Sequence, residues 1–263
     1  MKKFSSLLFE LSSIDRLDIL FLLEKTPLKL SHISNKLDFT VQETSRNITR
    51  LSEAKLIIKD TDSAFHLTPY GEEVLHLLSG YKFLFKNRDY FQTHNLDKLP
   101  EQFRAGLGIL DQCESVNDVM ISFHNVEMMI ADASELVWIL TDQVLASTIP
   151  PLVQAIERGV EFRLLMPIAY APSDDIRKLV DNPVFERAGR KKKLANRFLN
   201  AIDAFLCLSE REVAAIAFPN LNGRLDYLGF RSPNDSVVEW SKALYSHYWE
   251  KATSQIPEQL SGK

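Results

Sequence analysis

The chain has 263 residues, with 31 basic against 35 acidic side chains for a net charge of −4; 45% of it is hydrophobic, with 9 glycines and 11 prolines. At roughly 100–200 residues per domain this suggests two domains, each burying its own core, and the composition excludes a largely disordered chain. The longest uncharged stretch, Gln143 to Ile156, spans 14 residues and contains Pro150 and Pro151, well short of the ~20 apolar residues a spanning helix needs.

The opening Met1-Lys2-Lys3-Phe4-Ser5-Ser6 is soon followed by Glu10, Asp15 and Asp18, without the long apolar core or small-residue cleavage site of a secretory signal. Cys113 and Cys207 lie far apart and form neither a disulfide framework nor a CxxC metal clip. A soluble, cytoplasmic protein with no membrane partner and no cofactor is expected. The acidity is uneven: residues 29–59 hold six basic against three acidic side chains, a local surplus of +3. Such a surplus attracts phosphates only if folding gathers it on one surface.

In chain order, apolar residues at 14, 17, 19, 20, 22 and 23 predict a helix that Thr26-Pro27 ends, because the residue before proline avoids the helical region. Leu30, Ile33, Ser34 and Leu37 predict a short second helix opening near Ser31, and Asp38-Phe39 a tight connection. Thr40-Val41-Gln42-Glu43 has the form of a capping box. The helix it opens carries Thr44, Ile48 and Leu51 on one face, with Gln42, Glu43, Ser45, Arg46, Thr49 and Arg50 largely off it. Two short helices joined by such a turn read as helix-turn-helix.

Leu56 to Lys59 and Phe65 to Leu67 predict two strands around the turn residues 60–64. Thr68 then reads as the cap of a further helix with Pro69 at its first position. Helix, helix, helix, hairpin is the winged-helix order. The run Arg46 to Ile57 and the ending Leu67-Thr68-Pro69-Tyr70-Gly71 resemble the ArsR/MarR-like winged-helix transcription factors.

In a DNA-binding reading the polar helix lies in the major groove, where all four base pairs are distinguishable. Arg46 is placed to read guanine, Gln42 adenine and Glu43 cytosine, while Ser45 and Thr49 lie on the same polar side and Thr40 caps. Arg50, Lys55 and Lys59 would neutralise phosphates. Asp60 and Asp62 at the wing tip oppose such contact, and His66 reads as a strand residue. A winged helix that serves instead as a protein-interaction adaptor is the alternative.

Residues 72–92 read as a long helix whose apolar positions suit either packing within its own domain or the seam of a homodimer. Leu99-Pro100 begins a connecting segment, in which Phe103, Leu107 and Leu110 form a short helical stripe. Leu136 to Leu140 predicts a strand, followed by a helix opened by Asp142 and closed near Gly159. Glu161 to Met166 predicts a second strand, and Ser173 to Val180 a helix. Two further strands, 204–208 and 213–218, flank the turn Ser209 to Glu212, and a last helix starts at Asp235 or Ser236. Trp138, Phe162, Phe205 and Trp240 read as core. This order implies an α/β domain. The expected fold is an α+β winged helix-turn-helix domain over 1–80, a helical linker and possible dimerisation segment over 81–115, and an α/β effector domain over 116–263.

Several dispersed segments resemble the archaeal methanogenesis regulatory proteins of the filamentation-regulator (FilR) type. They are Asn87 to Leu96, Val137 to Leu145, Arg158 to Arg163, Phe218 to Tyr227, and the closing Trp240 with Tyr248-Trp249-Glu250. The resemblance covers nearly the whole chain. It implies an archaeal cytoplasmic regulator whose C-terminal domain is similar to the phospholipase D-like effector domains of sugar-responsive regulators.

Phospholipase D chemistry needs a nucleophilic histidine in H-x-K-x4-D, and no histidine here has lysine two residues later. Phosphate-loop, dinucleotide and G-x-S-x-G patterns are also missing. No enzyme activity is expected. The second half is read as sensing a ligand or a partner. Open α/β sheets bind ligands beyond the carboxyl ends of their strands, here Asp142 and the Met166-Pro167 edge, although a helix cap explains Asp142 as well. The run 186–197 has six basic residues against one acidic, +5 in all, and Arg190, Lys193 and Arg197 within it suit a small anionic effector or simply a solvated loop.

Overall fold

The computed structural model describes residues 2–255 and divides between Tyr81 and Lys82 into two compact units. Met1 and residues 256–263, part of the expected first and last domains, lie outside the described residues.

The first unit begins with α1 (Lys2–Leu11), a helix the sequence reading did not anticipate, then α2 (Ile14–Lys25), ended at Thr26 as expected. A two-residue strand, β1 (Leu28–Lys29), leads into α3 (Leu30–Leu37), which starts one residue before Ser31 and without a side-chain cap. Asp38 takes a left-handed conformation (φ 55°), and this turns the chain sharply into α4 (Val41–Glu53). Next come β2 (Ile57–Lys59), β3 (Ala64–Leu67) and α5 (Pro69–Lys86). The three strands form one antiparallel sheet with β3 in the middle, pairing Leu28 with Phe65 and Ile57 with Leu67.

The core of this unit gathers Ile19, Leu20, Leu23, Ile33, Ile48 and Leu51 from the three central helices. Ile14, by contrast, is exposed. The motif Leu67-Thr68-Pro69-Tyr70-Gly71 has a packing reason. The Thr68 hydroxyl accepts from Gly71 N (3.0 Å) and donates to Lys55 O (2.6 Å), drawing the start of α5 against Leu56. A Cβ on Gly71 would sit 2.1 Å from the Leu56 carbonyl oxygen, so no larger residue fits there without displacing backbone.

In the second unit, Asn87 breaks the expected 72–92 helix into α5 and the short α6 (Arg88–Phe91). There follow α7 (Glu101–Ala105), a 3-10 segment Leu107–Gln112, β4 (Glu114–Val116) and α8 (Val119–Asp132). Next are β5 (Leu136–Leu140), α9 (Ile149–Glu157), β6 (Glu161–Pro167) and α10 (Asp174–Val180). The chain continues with α11 (Pro183–Arg190), β7 (Leu194–Leu199), β8 (Phe205–Ser209), β9 (Val213–Ala217), β10 (Gly229–Ser232) and α12 (Asp235–Lys251). The sheet order is β4-β10-β9-β8-β5-β6-β7, parallel across β5-β6-β7 and antiparallel elsewhere. At the end of α9, Gly159 at φ +95° lets Val160 N reach back to Ala155 O, a turn that L side chains rarely adopt.

Alternation along the central strands builds two cores. Leu140, Leu206 and Leu208 face the α12 side with Leu244 and Tyr245, whereas Val137, Ile139, Phe205 and Cys207 face the α8 and α9 side. Buried on both faces, these strands read as near-continuous apolar runs, which is why β5, β6, β8 and β9 were visible in the sequence.

Four features correct the sequence reading. Within residues 81–115, expected as a helical linker and possible dimerisation segment, Phe83, Leu99, Phe103, Leu107 and Leu110 are buried in the second unit's core. Asp142 opens no helix: residues 141–145 are irregular, and α9 begins at Ile149 after a 3-10 turn. The basic run is not a loop, because it spans the end of α11, a turn, and β7. Finally α8 and β10 were not anticipated; α8 is capped by Asp118, whose carboxylate accepts from Met120 N and Ile121 N.

Two of the dispersed motifs meet in space. Tyr90 O–H donates to Phe218 O, and Phe218 N donates back to the Tyr90 oxygen (2.9 Å). The His94 ring stacks on Tyr90, with its Nδ1 2.9 Å from Tyr90 O and its Nε2 3.0 Å from Asp226. Both nitrogens of this buried histidine are therefore engaged in holding α6 to the segment 218–228.

Candidate nucleic-acid interface and ligand cavity

The capping box at the start of α4 is complete. The Thr40 hydroxyl accepts from Glu43 N (3.2 Å), and the Glu43 carboxylate accepts from Thr40 N (3.0 Å) and from its hydroxyl (2.7 Å). Those bonds from Thr40, hydroxyl first, hold the Glu43 carboxyl below the ordinary glutamate value. Glu43 is thus occupied in closing the helix, which competes with the cytosine contact expected of it. On the inner side Thr44, Ile48 and Leu51 are buried, and the Thr44 hydroxyl donates to Thr40 O (3.0 Å). Gln42, Ser45, Arg46 and Thr49 are exposed on the outer side.

Arg50 lies elsewhere than expected. Its guanidinium grips Glu10 of α1 through two bonds (2.7 and 3.0 Å) and sits 5.0 Å from the centre of the Phe9 ring. Hydrogen bonding to Glu10 raises its pKa above the ordinary arginine value. Glu10 also takes the buried Arg16 at 3.1 Å, so one carboxylate ties α1 to both α2 and α4. Arg50 is thus engaged within the fold, which competes with the phosphate contact expected of it. Lys55, at φ +63° just past α4, and Lys59 on the wing are exposed. The wing turn is closed from within: the Asp60 carboxylate accepts from Asp62 N and Ala64 N.

The second unit holds a cavity of about 540 Å³ on the α8, α9 and α11 side of its sheet. Phe162, Leu164, Phe198 and Phe205 rise from the strands, Val126, Ile130 and Leu152 from α8 and α9, and Ile176, Val180 and Phe185 from α10 and α11. Toward the carboxyl ends of the parallel strands lie Thr141, Gln143, Met166 and Tyr170. Tyr227, held at φ +62°, also lines it and donates its hydroxyl proton to Asp142. Burial first, then that bond to Asp142, raises the Tyr227 phenol above its ordinary value. The Cys207 thiol at the wall is pushed up by burial alone, so it stays a neutral thiol rather than a nucleophile.

The residues assigned to an anionic effector are not brought together. Arg190 is exposed and pairs with Glu186 on its own helix, and Lys193 is exposed in the turn before β7. Arg197 donates to Trp249 O (2.8 Å), its guanidinium 4.6 Å from the Trp249 ring, while its β7 neighbours Asn196 and Phe198 line the cavity. Strand alternation therefore sends Arg197 to the opposite face. None of the three lines the cavity; Asp142 stands beside it through Tyr227.

Among the described residues no cluster of three or more His, Cys, Asp or Glu side chains could hold a metal ion, and no helix is long and apolar enough to cross a membrane.

No family model matches the chain, and no curated protein matches it either. Among solved structures it is similar to TrmBL2, described as an archaeal chromatin protein with a novel mode of DNA binding. The identity is 15% over 92% of this chain and 94% of that one, with a TM-score of 0.43. It is also similar to Nuc, a phospholipase D family member from Salmonella typhimurium, at 11% identity over 49% of this chain and 88% of that one, with a TM-score of 0.36. Likenesses this slight determine neither the fold nor the function of this chain.

Proposed function

We propose that the chain is a sequence-specific DNA-binding transcriptional regulator of the cytoplasm, with α4 as its recognition helix and a second unit that senses a small molecule. The observation that carries this reading is the outer face of α4. Gln42, Ser45, Arg46 and Thr49 are exposed on a helix pinned by a capping box and a buried aliphatic side. Side chains of this kind on a rigid helix suit the donor and acceptor pattern of the major groove, with arginine matched to guanine. Exposed Lys55 and Lys59 on the same unit would supply the sequence-independent, salt-sensitive share of affinity.

The protein is proposed to act as a homodimer, because paired half-sites demand two recognition helices. Leu77 and Tyr81, four residues apart along α5 in the first unit, are exposed and offer an apolar edge suited to a symmetric seam.

The test is selection of duplexes from a random pool, followed by gel shifts of a selected and a scrambled sequence across a salt series. A preference for the selected duplex that persists as salt weakens both supports the reading. Failure to retain any duplex at low salt refutes it and favours a protein-interaction adaptor.

A further inference from the structure

We infer that the cavity of the second unit is a binding site for a neutral, mostly hydrocarbon small molecule bearing a hydroxyl or carbonyl at one end. This deepens the sensing part of the reading above and rests on it.

Protein interiors pack with few voids larger than a water molecule, so a space this large that side chains leave unfilled deprives its apolar walls of partner atoms. A cavity of about 540 Å³ walled by Phe162, Phe185, Phe198 and Phe205 is therefore far beyond a packing flaw. It falls within the ~300–1,000 Å³ of small-molecule pockets, which are mostly apolar with a few polar groups that set orientation.

The polar groups here are all uncharged. Thr141, Gln143, Thr148, Tyr170, Asn196, Tyr227 and Ser254 line the cavity, and among the described residues no Lys, Arg, His, Asp or Glu does. Beside it stands Asp142, whose carboxylate accepts from the Tyr227 hydroxyl. A carboxylate or phosphate entering such a site would be stripped of water with no cation to meet it, which is costly. A hydroxyl or carbonyl finds partners among these groups while its chain covers the apolar walls. The cations that pointed to an anionic effector lie outside the cavity: Arg190 pairs with Glu186, and Arg197 turns to Trp249.

The experiment is calorimetric titration of the full chain with decanol and with decanoate, in the absence of DNA. The expected result is one decanol per chain, bound about 10-fold or more tighter than decanoate because the anion must be buried unpaired. Val144→Trp, on the irregular segment lining the cavity, should fill it and abolish decanol binding while the thermal unfolding midpoint is retained. Leu145→Trp, on the same segment, serves if Val144→Trp does not fold. Decanoate binding as tightly as decanol, no decanol binding, or binding that survives a folded Trp variant would overturn the inference. A gel shift run without either compound is read separately, so failure of the cavity and failure of DNA binding remain distinct results.

Discussion

Arg46→Ala separates reading of bases from support of the fold. The guanidinium is exposed on α4, where it attracts the exposed Glu43 carboxylate across solvent, so the fold loses little when it is removed. Its removal should change stability by no more than about 0.5 kcal/mol, the usual range for a surface site. If it bonds a guanine bidentately, discrimination between selected and scrambled duplex falls by about 1–3 kcal/mol. That is roughly 5- to 150-fold in the ratio of dissociation constants, since each 1.4 kcal/mol is a factor of about ten. The assay is fluorescence anisotropy of both duplexes over a salt series, beside thermal unfolding of the same variant. Equal loss on both sequences, with a shallower salt slope, would make Arg46 a phosphate contact. No loss on either would mean that α4 does not enter the groove, and the reasoning would fail.

Arg50→Ala is expected to do the reverse: it frees Glu10 from its partner on α4 and lowers the unfolding midpoint of the first unit, and any loss of DNA affinity follows that unfolding. Gly71→Ala should destabilise that unit by about 1–3 kcal/mol in urea, because the added methyl meets the Leu56 carbonyl and backbone must move. Tyr81→Asp should shift sedimentation from dimer toward monomer if α5 forms the seam, since a charge would be placed in an apolar interface. Glu210 supplies a pH dependence. Burial pushes its carboxyl up, but bonds from Ser134 N, Ser134 Oγ, its own backbone N–H and Leu136 N prevail and hold it at about 2. Its contribution is thus complete above the ordinary value of 4.5 and is lost as pH falls toward about 2, so Glu210→Gln should lower the midpoint at neutral pH and flatten that acid decline.

Local chemistry in the amino-acid order determined much of the first unit. Thr40 with Glu43 closes a helix through groups three residues apart, Thr26-Pro27 stops one, and Thr44, Ile48 and Leu51 mark the inner side by helical period alone. The central strands of the second unit announced themselves as apolar runs because both their faces are covered. Elements such as β1, β10 and α8 escaped notice. Two are strands of two and four residues defined by partners distant in sequence, and in the third apolar residues such as Met120, Ile121 and Met128 lie exposed, which blurs the buried stripe.

Side-chain allegiance was decided only by tertiary structure. Arg50 and Arg46 are both arginines off the buried side of α4, yet the position of Glu10, forty residues away in sequence, takes one and leaves the other exposed. Arg197 and Asn196 adjoin in sequence but belong to opposite faces of β7, and only the folded sheet puts a tryptophan on one face and a cavity on the other. Charge along a chain is additive, whereas a site depends on which groups share a volume, and elements far apart in sequence enclose that volume.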